Sequence, residues 1–185
     1  MKKCQRYVVV TILATLGAVC HANAADTMTN LPDTSPESSL YRAQELTIDL
    51  FGSGSINQQT INHLSGDKVT HNGRLGAGAG LNYFFCRYIG IGADAYSENT
   101  GHSFVDSTSG NLIGRLPIGD TGIAPYIFAG GGYQFDQVEQ GFGQGGGGLE
   151  FRFTEKWGLF VDARYVIADK TENYGLGRVG LRLSF

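Results

Sequence analysis

Between Glu45 and Phe185 apolar and polar residues take turns with a period of two, the alternation stops at a turn, and then it starts again. The segments 45–52, 74–85, 88–96, 111–118, 124–135, 145–153, 157–166 and 178–185 carry this rhythm and predict eight β-strands. Tight connections around Cys86 to Arg87, Leu116 to Ile123 and Thr154 to Lys156 alternate with links at 53–72, 97–108, 136–141 and 168–174. Short turns at one end of such a set and mostly longer loops at the other predict an up-and-down antiparallel barrel.

Alternation alone leaves open which face turns outward, and the charges decide it. One face of the predicted strands carries Leu46, Ile48, Leu50, Leu75, Leu81, Ile89, Ile91, Leu149, Phe151, Leu159, Val161, Val179, Leu181 and Leu183. The other carries Glu45, Asp49, Arg74, Asn82, Asp94, Arg115, Glu150, Arg152, Asp162, Arg164, Arg178 and Arg182, interleaved with glycines such as Gly76, Gly78, Gly80, Gly148 and Gly180. Lysine, the usual choice for a solvated strand face, is missing from both; Lys68, Lys156 and Lys170 all fall in links or turns. Arginines matched by carboxylates, with no lysine, point to fixed bidentate pairing in a confined space. The interior of an eight-stranded barrel is only wide enough for side chains to fill, so long arginines need glycines beside them. The expected fold is therefore all-β: an eight-stranded antiparallel up-and-down transmembrane β-barrel with a plugged polar interior. The competing architecture is a soluble β-sandwich with the charged face turned to water.

Aromatic residues give a second axis. Tyr83, Phe85, Tyr88, Phe153, Trp157 and Phe185 gather at the end with the tight turns, and Tyr96, Tyr133, Phe135, Tyr165 and Tyr174 at the loop end. Two girdles around a band of Leu, Ile, Val and Ala are the layout expected at the two interfaces of a membrane. The first 24 residues read as a signal peptide, with a charged start, an apolar run from Tyr7 to Val19 and a cleavage site at Ala22, Asn23 and Ala24. Residues 25–43 are expected to be a flexible periplasmic lead-in, and 44–185 the outer-membrane barrel. Removing the leader takes Lys2, Lys3 and Arg6 away and moves the formal net charge from −3 to −6, leaving no basic stripe for nucleic acid. Of the three cysteines only Cys86 lies beyond the leader, too few for an internal disulfide.

The runs GAGLNYFF (78–85), IGIGADAY (89–96), APYIFAGGGYQF (124–135), LEFRFTEKWGLFVDARY (149–165) and the terminal GLRLSF (180–185) resemble the small eight-stranded outer-membrane barrels related to the transmembrane domain of OmpA, to OmpX and to the opacity-type surface proteins. The resemblance implies that Phe185 is the signal read by the barrel-assembly machinery. It also implies that Glu150, Arg152, Asp162 and Arg164 belong to an interior salt-bridge network. The full expected network is Glu45, Asp49, Arg74, Asp94, Arg115, Glu150, Arg152, Asp162, Arg164, Arg178 and Arg182, with Tyr83, Phe85, Phe153, Trp157, Tyr133 and Tyr165 as membrane-interface girdle. The expected location is the outer membrane of a Gram-negative type cell. The expected partners are outer-membrane lipid, lipopolysaccharide, the assembly machinery, and a host or surface ligand reached through the loops.

The expected role is non-enzymatic: structural, or adhesive through the polar link at 53–72. Lipid A deacylases share the eight-stranded architecture, so an enzyme of that kind is the alternative, and a narrow pore is a second. His63 and Ser65 form a His-x-Ser pair with Asp67 or Glu98 as orienting acid. They fall in the first link, whereas a deacylase holds its pair late in the barrel. His102 beside Ser103 has the same standing, and His63, His71 and His102 are too scattered for a metal site. Gly130 to Gly132 and Gly145 to Gly148 lack the Lys-Ser/Thr ending of a phosphate loop. No catalytic residue, metal or cofactor is expected.

Overall fold

The computed structural model describes residues 40–61, 68–71, 73–98, 105–135 and 139–185; the leader and most of the lead-in lie outside them. Ten strands follow in chain order: β1 (Glu45–Ile56), β2 (Gln58–Ile61), β3 (Lys68–His71), β4 (Arg74–Phe84), β5 (Ile89–Ser97), β6 (Ser107–Arg115), β7 (Ile123–Gln134), β8 (Gln140–Arg152), β9 (Trp157–Ala168) and β10 (Tyr174–Ser184). Eight of them close into a barrel in the order β1, β10, β9, β8, β7, β6, β5, β4, every neighbouring pair antiparallel. Closure leaves no strand edge in the barrel unpaired, which a wall facing hydrocarbon requires. β2 and β3 form a separate two-stranded antiparallel sheet.

Strand lengths differ from expectation where the inward face is polar and uncharged. The link expected at 53–72 contains the last four residues of β1 and both hairpin strands. Ser53 and Ser55 look like loop residues in isolation, yet they continue the inward alternation, pairing with Arg178 and Leu176 on one side and Gly76 and Arg74 on the other. Ser107 and Ser109 extend β6, and Gln140 and Gln144 extend β8, in the same way, all four being buried. Leu116 and Ile118, expected in a strand, lie in the turn after β6.

Outward positions of the eight barrel strands are apolar apart from the hydroxyls of Ser97, Thr108, Tyr83, Tyr133 and Tyr165 and the indole N–H of Trp157, and no charged residue stands among the described ones. Leu50, Leu75, Leu81, Ile127, Val161, Val179 and Leu181 are among the large exposed hydrophobics of this band. An apolar belt this extensive around a barrel is what a lipid solvent covers. Tyr83, Phe85, Phe153 and Trp157 are exposed at the turn end and Tyr133 and Tyr165 at the loop end. The rings of Tyr83 and Phe85, and those of Tyr133 and Phe135, lie 5.3 Å apart in each pair. Tyr96 and Tyr174, expected in the loop-end girdle, are instead buried inside at 2% exposure. They share strand parity with Asp94 and Arg178, so the pleat aims them inward whatever their height, and their hydroxyls meet at 3.4 Å.

Inside, large side chains stand next to glycines. Phe51 is flanked by Gly78 and Gly180, Phe84 by Gly90, Asp162 by Gly148, Arg164 by Gly146 and Arg152 by Gly158. A methyl group at Gly78 would sit 2.6 Å from Phe51 Cζ and 2.5 Å from Ala95 O. The glycines are space given up to the arginines and rings opposite them.

Candidate functional site

The interior charges form two groups of ion pairs. At the turn end Arg152 reaches Glu45 through Nη2 and Glu150 through Nε at 2.6 Å, and Arg115 lies 3.3 Å from Glu45 and 3.7 Å from Glu150. Arg182 bridges onward, 2.6 Å from Glu150 and bidentate on Asp49 at 2.7 Å for both Nε and Nη2. Asp49 also accepts from Asn82 Nδ2 at 2.9 Å. Three carboxylates thus balance three guanidiniums. Nearer the loop end Arg178 is bidentate on Asp162 at 3.0 and 2.7 Å and 3.3 Å from Asp94, while Arg164 lies 3.4 Å from Asp94. Two carboxylates here balance two guanidiniums. Arg178 and Asp162 face each other across β10 and β9, and Arg182 and Asp49 across β10 and β1, so the register itself sets these two pairs.

Ten of the eleven expected network residues are buried in these two groups; Arg74 stands apart, half-buried at the loop-end rim, with Nη2 donating to Glu98 O at 3.2 Å. Each buried arginine also covers an aromatic face. Arg115 lies 3.7 Å from the Phe84 centroid, Arg152 4.4 Å from Tyr41, Arg164 5.0 Å from Phe128, Arg178 4.6 Å from Phe51 and Arg182 5.0 Å from Phe160. Rings under guanidiniums give partial compensation for desolvation where no further oxygen is present. These aromatics are absent from the expected network, although Phe51, Phe84 and Phe160 share strand parity with Asp49, Asn82 and Asp162, which marks those three as inward.

The turn end is closed by residues expected to be flexible. Tyr41 is only 2% exposed, its hydroxyl donates to Gly122 O at 2.8 Å, and its ring lies 4.8 Å from Arg115 as well as over Arg152. Arg152 Nη1 donates to Leu40 O, and the Arg42 amide donates to Glu45 Oε2 at 3.1 Å. Gln44, at φ 55, makes the corner that folds this segment back across the mouth. Burial, with the nearby Glu150 carboxylate, pushes the Tyr41 hydroxyl well above the usual phenol range, so it stays a neutral donor.

At the loop end Glu98, directly after β5, is buried at 3% exposure. Its amide donates to Asp106 Oδ2 at 2.6 Å. Burial raises its carboxyl above the ordinary glutamate value, against the opposing pull of Gln58 and Arg74. Ser55 Oγ donates to Gln58 Oε1 at 2.6 Å, and the Gly73 amide donates to Ser55 O at 2.9 Å, which together close the base of the hairpin.

His63, Ser65, Asp67, His102 and Ser103 lie outside the described residues. Among the described residues no group of three His, Cys, Asp or Glu side chains could hold a metal ion. Cys86 is a free, buried thiol at the turn after β4. Phe185 is exposed, and it exchanges backbone hydrogen bonds with Leu46 at 2.9 and 3.3 Å. No helix among the described residues is long and apolar enough to cross a membrane.

No family model and no curated protein matches the chain. Solved structures do. The N-terminal β-barrel domain of OprF from Pseudomonas aeruginosa aligns with a TM-score of 0.59 at 16% identity, over 78% of this chain and 99% of that one. Neisserial surface protein A gives 0.52 at 12% identity, over 76% and 97%. Ail, the attachment invasion locus protein of Yersinia pestis, in complex with the heparin analogue sucrose octasulfate, gives 0.51 at 15% identity, over 77% and 99%. At these identities the likeness carries the fold, that of the small eight-stranded outer-membrane barrels.

Proposed function

We propose that this chain is a non-enzymatic outer-membrane protein: an inert, salt-bridge-filled barrel that anchors a set of surface loops in the cell envelope. The observation that carries this reading is the pairing of an uncharged apolar outer wall with a charge-balanced interior, because only a bilayer makes both favourable at once. Residues 1–24 would direct export, the barrel-assembly machinery would read Phe185, and the girdle aromatics would seat the barrel among outer-membrane lipid and lipopolysaccharide. The working surface is the loop end, led by the β2–β3 hairpin. The first link, rich in Asn, Gln, Ser and Thr, suits hydrogen-bonding contact with a host or other surface ligand. Ail, a barrel of the same fold, was solved with a heparin analogue, which supports a ligand-binding role for such a barrel.

The test is the mobility of the protein from outer-membrane fractions on gels run with and without boiling in SDS. A fast unboiled band that slows on heating is expected. A heat-insensitive band, or recovery only from the soluble fraction, would replace the membrane barrel with a soluble one. Lipid A extracted from cells expressing the protein should keep its mass, and a mass loss abolished by Ser65→Ala would reinstate the deacylase.

A further inference from the structure

Three outward glycines give up no space to the interior. At the inward Gly76 an added Cβ would lie 2.5 Å from Ser97 O and 2.7 Å from Ser53 Oγ, so packing demands a bare backbone there. At the outward Gly52, Gly54 and Gly177 the nearest atoms would be 3.9, 3.7 and 3.9 Å away, which are ordinary contact distances. Gly54 pairs with Gly177 across β1 and β10, and Gly52 with Val179, so the bare positions adjoin. Around them Leu75 of β4, Val161 of β9 and Val179 of β10 stand out from the wall as exposed side chains. Together they shape a groove of about 540 Å³ that crosses β4, β1, β10 and β9 on the outside of the barrel.

Chemistry and position select the occupant. The floor glycines have ladder neighbours on both sides. Ser53, Asp162 and Arg178 also border the groove, but all three are buried on the inward face, the last two paired with each other. Water finds no set of polar partners in such a place. The wall that the groove interrupts is the lipid-facing one, so hydrocarbon is what reaches it. Neighbouring strands lie about 4.8 Å apart, so four of them span about 14 Å, a run that suits one extended acyl chain better than the convex wall of a second barrel. Gly54 and Leu75 stand near the loop ends of β1 and β4, which opens the groove toward the loop-end leaflet.

We propose that this groove seats one acyl chain of a lipopolysaccharide molecule from the loop-end leaflet. The inference rests on the membrane reading above and adds a fixed lipid partner to it. Lipid tails are as apolar as the wall, so the hold comes from close contact: methylenes approach the bare floor, and the branched side chains of Leu75, Val161 and Val179 flank them. Phospholipid tails share that chemistry, but the leaflet on the loop side of a Gram-negative outer membrane is built of lipopolysaccharide, which makes it the occupant at this height.

The test is native mass spectrometry of the protein extracted from outer membranes in mild detergent. One lipopolysaccharide per barrel should stay bound at activation energies that strip the detergent. Gly54→Leu and Gly177→Leu place a side chain in the groove and should cut the retained fraction about tenfold, with the heat-modifiable gel shift unchanged. Gly143→Leu, at an outward position of β8 with nothing within 4 Å, should keep the lipid. A check that needs no variant is titration of the chain, refolded in micelles, with purified lipopolysaccharide: amide shifts at Gly52, Gly54 and Gly177 should saturate at one equivalent. Release of all lipid with the detergent, retention of a phospholipid or a second copy in its place, or equal losses in Gly54→Leu and Gly143→Leu would each overturn the seat while leaving the membrane barrel standing. Absence of the heat shift in the unsubstituted chain would remove the membrane reading itself, and the seat with it.

Discussion

Glu150→Ala removes one carboxylate from the turn-end set and leaves Glu45 and Asp49 to balance Arg115, Arg152 and Arg182. Glu150 is fully buried and accepts two short charge-assisted bonds, from Arg152 Nε at 2.6 Å and Arg182 Nη1 at 2.6 Å. A hydrogen bond to a charged group contributes roughly 1.5–3 kcal/mol, so two are worth about 3–6 kcal/mol before relaxation. Relaxation is limited because Arg152 keeps Glu45 and Arg182 keeps Asp49, while the surplus positive charge stays buried. The expected loss is about 3–5 kcal/mol, the range found when one member of a buried ion pair is removed. Urea unfolding in lipid vesicles, followed by the heat-modifiable gel shift, would measure it. Glu150→Gln should lose less, since it retains an acceptor in the same volume. A loss under about 1 kcal/mol for Glu150→Ala would be that of a solvated surface pair and would refute the dry, charge-balanced interior.

Other substitutions probe other parts of the same packing. Gly78→Ala should cost about 1–3 kcal/mol in the same assay because its methyl meets Phe51 and Ala95 O, whereas Gly143→Ala, with nothing within 4 Å, should be neutral within about 0.5 kcal/mol. Equal effects at the two positions would mean the interior glycines are not space-makers. Tyr41→Phe should lose about 0.5–1.5 kcal/mol with the bond to Gly122 O, and Tyr41→Ala about 3–5 kcal/mol, read as urea midpoints at constant slope. Deleting Phe185 removes both backbone bonds to Leu46, and outer-membrane yield measured by immunoblot should drop several-fold while export continues.

The period-two alternation made the wall legible. Parity at Asp49, Glu150, Asp162 and Arg182 separates inside from outside, because each strand position has only two directions to point. Phe51, Phe84 and Phe160 share that inward parity but carry no charge to mark it, and Tyr96 and Tyr174 stand at girdle height while their parity turns them inward. Ser53, Ser107 and Gln140 resemble loop residues only because polarity, elsewhere a loop signal, is the rule on the inward face. Tyr41 was out of reach for a different reason. Its burial depends on a left-handed corner at Gln44 and on a carbonyl at Gly122, some eighty residues away, and no local pattern encodes that meeting. The cross-strand pairing of Arg178 with Asp162 likewise needs the register, which a one-residue slip would destroy.

The charge balance within each interior group has a consequence outside the barrel. Opposite charges held a few ångströms apart cancel at a distance, so each group behaves as a compact multipole whose field dies away faster than that of a single ion. Within a screening length of roughly 8–10 Å at ordinary salt, little of it survives to the rim. The electrostatic attraction or repulsion that an approaching molecule experiences is then set by the loops and the lipid headgroups alone. A loop can be recharged for a new encounter without disturbing the wall, and the wall can be repaired without changing what the cell surface attracts.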